Sequence, residues 1–172
     1  MSRPDDEAVW MPRAAVIVSS TRAAAGVYAD RTGPVIVDWL RERGFEVDEA
    51  AVVADGVDFA LRLEQELALA PAVVITTGGT GIAPGDLVPE ATAALLDRQL
   101  PGFGEELRRR GAATTPTALL SRGLAGIAGG AFVVNLPGST GGVRDGLGLL
   151  DEVLDHVLDQ LAGGDHSAAG LE

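Results

Sequence analysis

Residues 72–90 read AVVITTGGTGIAPGDLVPE. The first six, 72–77, form an unbroken apolar and β-branched run of strand length, the pattern of a central parallel strand covered on both faces. Glycines follow at once. Gly78, Gly79 and Gly81 carry no side chain to keep an anion from consecutive backbone N–H groups, so the loop can fold into a nest. Thr76, Thr77 and Thr80 add hydroxyls, and Asp86 supplies a carboxylate just before a helix that opens at Pro89 and Glu90. The N-terminus of such a helix favours an anion by about 0.3–1 kcal/mol. Strand, glycine loop and helix together read as a phosphate-binding loop with a metal-directed acid; a plain glycine-rich turn is the competing reading. Pro84 stands where a dinucleotide fingerprint starting at Gly79 needs glycine, and a Walker loop needs a lysine this chain lacks.

The flanks repeat the strand and helix signals. Upstream, 14–20 (AAVIVSS) is a strand, and 34–43 has helical spacing at Val35, Ile36, Trp39 and Leu40 behind the cap candidate Thr32. A second strand over 45–53 and a helix over 57–70, closed by Pro71, complete a βαβαβ order up to the quoted stretch. Downstream come helices over 89–96 and 104–110, a strand at 131–135 (AFVVN), and a last helix over 143–161 with one apolar stripe. The fold expected is α/β, with a mostly parallel open sheet, helices on both faces and ligands bound beyond the carboxyl ends of the strands. Chemistry should therefore lie after Ser20, Thr77 and Asn135.

Composition narrows the classes. The 172 residues carry a formal charge of −12, all 13 cations are arginine, and there is no cysteine. No Schiff-base lysine, thiolate nucleophile or cysteine zinc site is available, and an acidic chain does not wrap a nucleic-acid backbone. A chain this long can bury about 70% of its unfolded surface as one domain. The longest apolar run, 67–75, is broken by Pro71, so no membrane span or secretory leader is expected and the cytoplasm is the default location. The ends, 1–12 and 163–172, lack periodicity and are expected to be flexible tails around one domain at 13–162.

The other two strand ends also offer polar groups. Segment 135–142 (NLPGSTGG) gives Asn135, able to read a base or ribose edge, and backbone donors at Gly138 and Ser139, or else a turn with a helix cap. Pro137 rules out a nucleophile elbow at Ser139. The loop after the first strand is long and holds Ser20, Arg22, Asp30, Arg31 and Gly33. Arg22 or Arg31 could neutralise a phosphate, whereas Asp30 is favoured as a turn or cap residue. Asp55, after the second strand, is an N-cap candidate that also shares the sheet rim with Asp86, and two carboxylates facing a polyphosphate suit Mg²⁺. Arg108, Arg109 and Arg110 read as a solvated charged face.

TTGGTG (76–81), the PGD and PEA that follow, DRQLPGFGEELR (97–108), PTALLSR (116–122) and NLPGS (135–139) resemble the molybdopterin-binding family of molybdenum cofactor biosynthesis. The likeness is greatest to the molybdopterin adenylyltransferases (MogA type), with the MoaB type next. It implies a three-layer α/β/α domain, a homo-oligomer (trimer or higher), and Mg²⁺-dependent transfer of AMP from ATP to the molybdopterin phosphate with release of pyrophosphate. It further implies hand-over to a molybdenum-insertion protein. By position, Asp55 and Asp86 take the places of the family's catalytic, metal-directed acids. Ser20, Asp30, Gly33, Thr76, Thr77, Gly78, Gly79, Thr80, Gly81, Glu90, Ser121, Arg122, Asn135, Pro137, Gly138 and Ser139 fall on substrate-binding positions. Adenylyltransferases of the family often have Arg-Asp followed by Thr-Pro-Glu, whereas Gly85 and Val88 stand here, which is more like the MoaB type. A non-catalytic molybdopterin-binding or carrier module is the alternative.

The residues suit the chemistry. A phosphate monoester has a second pKa of about 6, so it is a dianion at neutral pH and needs no general base. The obstacle is charge repulsion, to be offset by Mg²⁺, loop amides and Arg22 or Arg122.

Overall fold

A computed structural model describes residues 11–163; the expected tails lie almost wholly outside the described residues. The chain runs β1 (Arg13–Ser19), α1 (Thr21–Ala24), α2 (Gly33–Glu42), β2 (Glu46–Val47), β3 (Ala51–Val53), α3 (Val57–Ala68), β4 (Val73–Thr77) and α4 (Val88–Ala93). It continues with β5 (Arg98–Gln99), α5 (Pro101–Ala112), a 3-10 turn (Pro116–Leu120), β6 (Ala125–Ala128), β7 (Ala131–Leu136) and α6 (Thr140–Leu161).

Strands β1, β4 and β7 form the parallel centre of the sheet, in the order β2-β1-β4-β7-β6-β5. Their β-branched runs are covered on both faces, as the periodicity of 2 requires. Ala14, Val16, Val73, Ile75 and Val134 meet α2, α5 and α6 through Ile36, Leu40, Leu107 and Leu150. Ala15, Ile17, Val74 and Val133 face Phe59 and Leu63 of α3 and Val88 of α4. These two apolar clusters make the architecture a three-layer α/β/α sandwich with a mostly parallel sheet.

Some elements differ from those the sequence pattern predicts. The strand expected over 45–53 is two short ones: β2 pairs with Arg13 and Ala14, β3 with Ile17–Ser19, and both lie on the β1 edge that β4 leaves open. Exposed Asp48 and Glu49 break the run between them. Beyond β7 the sheet turns antiparallel, because Gly129 and Gly130 both take positive φ (54° and 87°) and close a two-residue hairpin between β6 and β7. Thr32 makes no side-chain cap for α2. Asp30 does that work instead, accepting from Thr32 N–H and Oγ1 (3.0 Å each) and from Gly33 N–H (2.9 Å).

Candidate functional site

Parallel strands that start together end together, so the loops after β1, β4 and β7 meet on one rim. Their contact is backbone against backbone. Gly78 has φ +88°, and a Cβ there would run into the Ser19 carbonyl oxygen. A Cβ on Gly138 would lie 3.3 Å from Gly78 Cα. Only residues without side chains let the three loops close this tightly. Two cavities, of about 720 and about 450 Å³, open around this contact, and Gly78 and Gly138 belong to the walls of both.

The larger cavity runs from the glycine loop 78–82 and Asp86 to Leu107 and Arg108 of α5, the 3-10 turn, and the start of α6. Asp86 Oδ2 accepts from Ala83 N–H (3.0 Å), and it sits 2.7 Å from where a Gly81 Cβ would be. Arg122 closes the loop from behind. Its Nε donates to the Gly81 carbonyl (2.8 Å), another guanidinium nitrogen to the Asp86 carbonyl (2.6 Å), and a third pairs with Glu90. The Glu90 carboxyl is held below its ordinary range chiefly by that hydrogen bond from Arg122. Ser121 Oγ reaches Thr80 Oγ1 at 3.4 Å, and Arg108 donates to the Ser121 carbonyl (3.2 Å). Ser139 caps α6, its hydroxyl accepting from Gly142 N–H at 3.0 Å.

The smaller cavity is walled by Ser19, Ser20, Tyr28 and the turn Asp30–Thr32. Ser20 caps α1 and bonds the Tyr28 hydroxyl (2.8 Å), while the Arg22 guanidinium lies 5.5 Å from the Tyr28 ring centre. Gly33 packs with no room for a Cβ between Asp30 and Ala50.

Several expected site residues are consumed by the protein itself. Asn135, 2% exposed, accepts from Leu124 N–H (3.1 Å) and donates to Thr76 Oγ1 and Thr92 Oγ1 (3.0 Å each). Its amide is thus an internal clamp at the wall of the larger cavity. Thr76 and Thr77 are fully buried, and the Thr77 hydroxyl donates to the Pro137 carbonyl (2.8 Å). Arg122 holds the loop with all three of its guanidinium nitrogens. Asp55 neither caps α3 nor lines the two cavities: Ser19 Oγ (2.6 Å) and Thr21 Oγ1 (2.9 Å) donate to its carboxylate. Asp55 therefore pins the end of β1 beside Gly79, and does not share a cavity wall with Asp86. Arg109 and Arg110 form the expected solvated ion pairs with Glu106 and Glu152, but Arg108 turns into the larger cavity. Asp145, which the sequence reading passed over, lines that cavity with Asp86; its place one helical turn beyond the NLPGS segment is the signal that could have found it.

A family model described as a probable molybdopterin binding domain matches residues 15–156, a span that takes in all three loops. The chain belongs to the molybdopterin-binding family. Among its relatives, a molybdenum cofactor biosynthesis bifunctional protein of Synechococcus elongatus is 40% identical over 89% of this chain, which covers 48% of that protein. The chain thus spans about half the length of the bifunctional relatives it matches. A molybdopterin adenylyltransferase of Helicobacter pylori is 36% identical over 86% of both chains. The solved molybdopterin biosynthesis Mog protein of Mycobacterium ulcerans superposes with a TM-score of 0.84 at 49% identity, covering 87% of this chain and 99% of that one. MoaB of Thermus superposes at 0.80 and 37% identity, over 89% and 98%. Members of the molybdopterin-binding family from both the Mog and MoaB groups therefore share this fold. Among the described residues no helix is long and apolar enough to cross a membrane.

Proposed function

We propose that this chain transfers AMP from ATP to the phosphate of molybdopterin, releasing pyrophosphate. The observation that carries the reading is the shared wall at Gly78 and Gly138: two ligand-sized cavities meet across backbone alone, so two substrates can bring their phosphates together. The names of the Helicobacter and other adenylyltransferase relatives support it.

In this reading Gly78, Gly79, Thr80, Gly81, Gly138 and Ser139 cradle phosphoryl oxygens with main-chain and hydroxyl donors, and Ser20 and the Asp30–Gly33 turn shape the second chamber. The pterin phosphate is already a dianion, so the site needs no general base. The donor set suits Mg²⁺ at Asp86, whose Oδ2 is fixed by the loop and which faces the cavity, in line with an ion that uses one or two carboxylates plus substrate phosphates. Mg²⁺ bound there supplies charge compensation to the phosphates. Asp55 serves the same chemistry indirectly, by setting the end of β1 against Gly79. We place the activity in the cytoplasm, in a single domain at 13–162 of a homo-oligomer, trimer or higher. The exposed Ile82, Leu119 and Leu120 offer apolar surface for assembly or for hand-over to an insertion protein.

Gly85 favours a second reading, a MoaB-like binding module. A side chain there would meet open space, so the structure itself gives no reason for the missing arginine. Purified protein mixed with molybdopterin, Mg²⁺ and α-labelled ATP separates the two: adenylylated pterin is expected, and tight pterin binding without labelled product would leave only the module.

A further inference from the structure

Most arginines distant from the two cavities are neutralised. Arg13 and Arg62 hold Glu66, Arg41 holds Glu49, and Arg43 holds Asp151. Excess carboxylate makes this the ordinary fate of a cation in a chain of charge −12. Arg31 and Arg144 depart from it, as does the exposed Arg98 of β5. Neither Arg31 nor Arg144 forms a hydrogen bond or ion pair among the described residues. Arg31 lines the smaller cavity and Arg144 the larger, and both line a groove of about 450 Å³ between α2 and α6 that shares wall residues with each.

The neighbouring acids are turned elsewhere. Asp30, adjacent to Arg31, spends both oxygens on Thr32 and Gly33, and Asp151 in the groove takes Trp39 Nε1 and Arg43. Asp145, beside Arg144, faces the larger cavity. The backbone carrying both cations is fixed. Arg31 sits inside the turn that Asp30 ties, and Arg144 follows the 1% exposed Val143 on a helix capped by Ser139. Two uncompensated guanidiniums on rigid elements, both lining one groove, match a polyphosphate, because a guanidinium engages phosphate oxygens with paired N–H donors.

Resting on the adenylyl-transfer reading above, we propose that Arg31 and Arg144 grip the β- and γ-phosphates of the nucleotide and receive the pyrophosphate leaving group. In the step they serve, an oxygen of the pterin phosphate forms a bond to the α-phosphorus. The bond from the α-phosphorus to its bridging oxygen breaks, and that electron pair departs on pyrophosphate. Charge builds on the leaving group, and neither guanidinium gains or loses a proton. The division of labour follows from what is already engaged: Arg122 is bonded to the loop, the glycine loop cradles phosphoryl oxygens where the two cavities meet, and the α2–α6 groove lies outside the Gly78–Gly138 contact.

The test is equilibrium binding of inorganic pyrophosphate, Mg-ATP and AMP to the full chain, together with turnover, for wild type, Arg31→Ala, Arg144→Ala, the double variant and Arg98→Ala. Arg98 is exposed on β5 and lines none of the three cavities, so its variant reports a bare loss of charge. Each cavity-rim variant should weaken pyrophosphate and Mg-ATP by about 10-fold or more, with AMP affinity and melting temperature unchanged. Turnover should fall in kcat as well as in ATP affinity, and Arg98→Ala should match wild type. Pyrophosphate affinity equal to wild type in the double variant, or an equal loss for AMP and ATP, overturns the assignment of these arginines while leaving adenylyl transfer intact. A wild-type protein that binds neither ATP nor pyrophosphate overturns the parent reading, and this assignment with it.

Discussion

Asn135→Ala distinguishes a clamp from a ligand contact. The wild-type amide makes three hydrogen bonds, to Leu124 N–H, Thr76 Oγ1 and Thr92 Oγ1, from a position 2% exposed. At about 1 kcal/mol net for each bond, with up to a further ~2 kcal/mol for leaving the Leu124 N–H without a partner, the loss comes to about 3–5 kcal/mol. For a domain of this size that lowers the melting temperature by roughly 10 °C, at some 2–4 °C per kcal/mol. Thermal unfolding by circular dichroism measures the first quantity, and calorimetric titration of ATP into the folded variant at low temperature measures the second. The expected result is a much less stable protein whose folded fraction binds nucleotide as the parent does. A variant that melts with the parent but has lost affinity would refute the clamp and return Asn135 to the binding surface.

Gly78→Ala forces a side chain into a left-handed backbone at about 1–2 kcal/mol and against the Ser19 carbonyl, so both the melting temperature and ATP affinity should drop; unchanged binding would show that the loops need not touch. Asp86→Asn keeps an oxygen for the Ala83 N–H, so turnover in Mg²⁺ should vanish with stability nearly unchanged, and a large fall in melting temperature would assign Asp86 to folding instead. Glu106 is held down to about 2, first by the hydrogen bond from Arg109 and then by that from Arg110. A depressed carboxyl stabilises the fold fully above its ordinary 4.5 and loses that contribution as pH falls from there toward about 2. Glu106→Gln should therefore flatten the stability profile in that acid window alone, and a profile parallel to wild type counts against the ion pair.

Legibility followed the range of the forces. β1, β4 and β7 were readable because burial on both faces writes a continuous apolar run, and α2, α3 and α6 because burial on one face writes a helical stripe. Strand β5, two exposed residues held only by pairing with β6, carries no such mark. The Gly129–Gly130 turn was present in the sequence as a hairpin signal, but β6 before it is too short and too rich in small residues to stand out. Among the site residues, the glycines were legible because only glycine suits their backbone, whereas polar residues were not. Asn135 and Asp86 look equally available in a string of letters, and their difference lies in partners many residues away.

By itself the sequence determined an α/β sandwich, three loops on one rim, a glycine run in the middle loop, and a chain without lysine or cysteine. Those follow from local periodicity, backbone freedom and composition. Tertiary structure decided which polar groups are spent and which remain: Asn135 and Arg122 locked within the protein, Asp55 pinned to β1, Arg31 and Arg144 left without carboxylates. A hydrogen bond is satisfied by whatever the fold brings within about 3 Å. Such proximity between residues far apart in the chain is a property of the assembled layers, which no local pattern encodes.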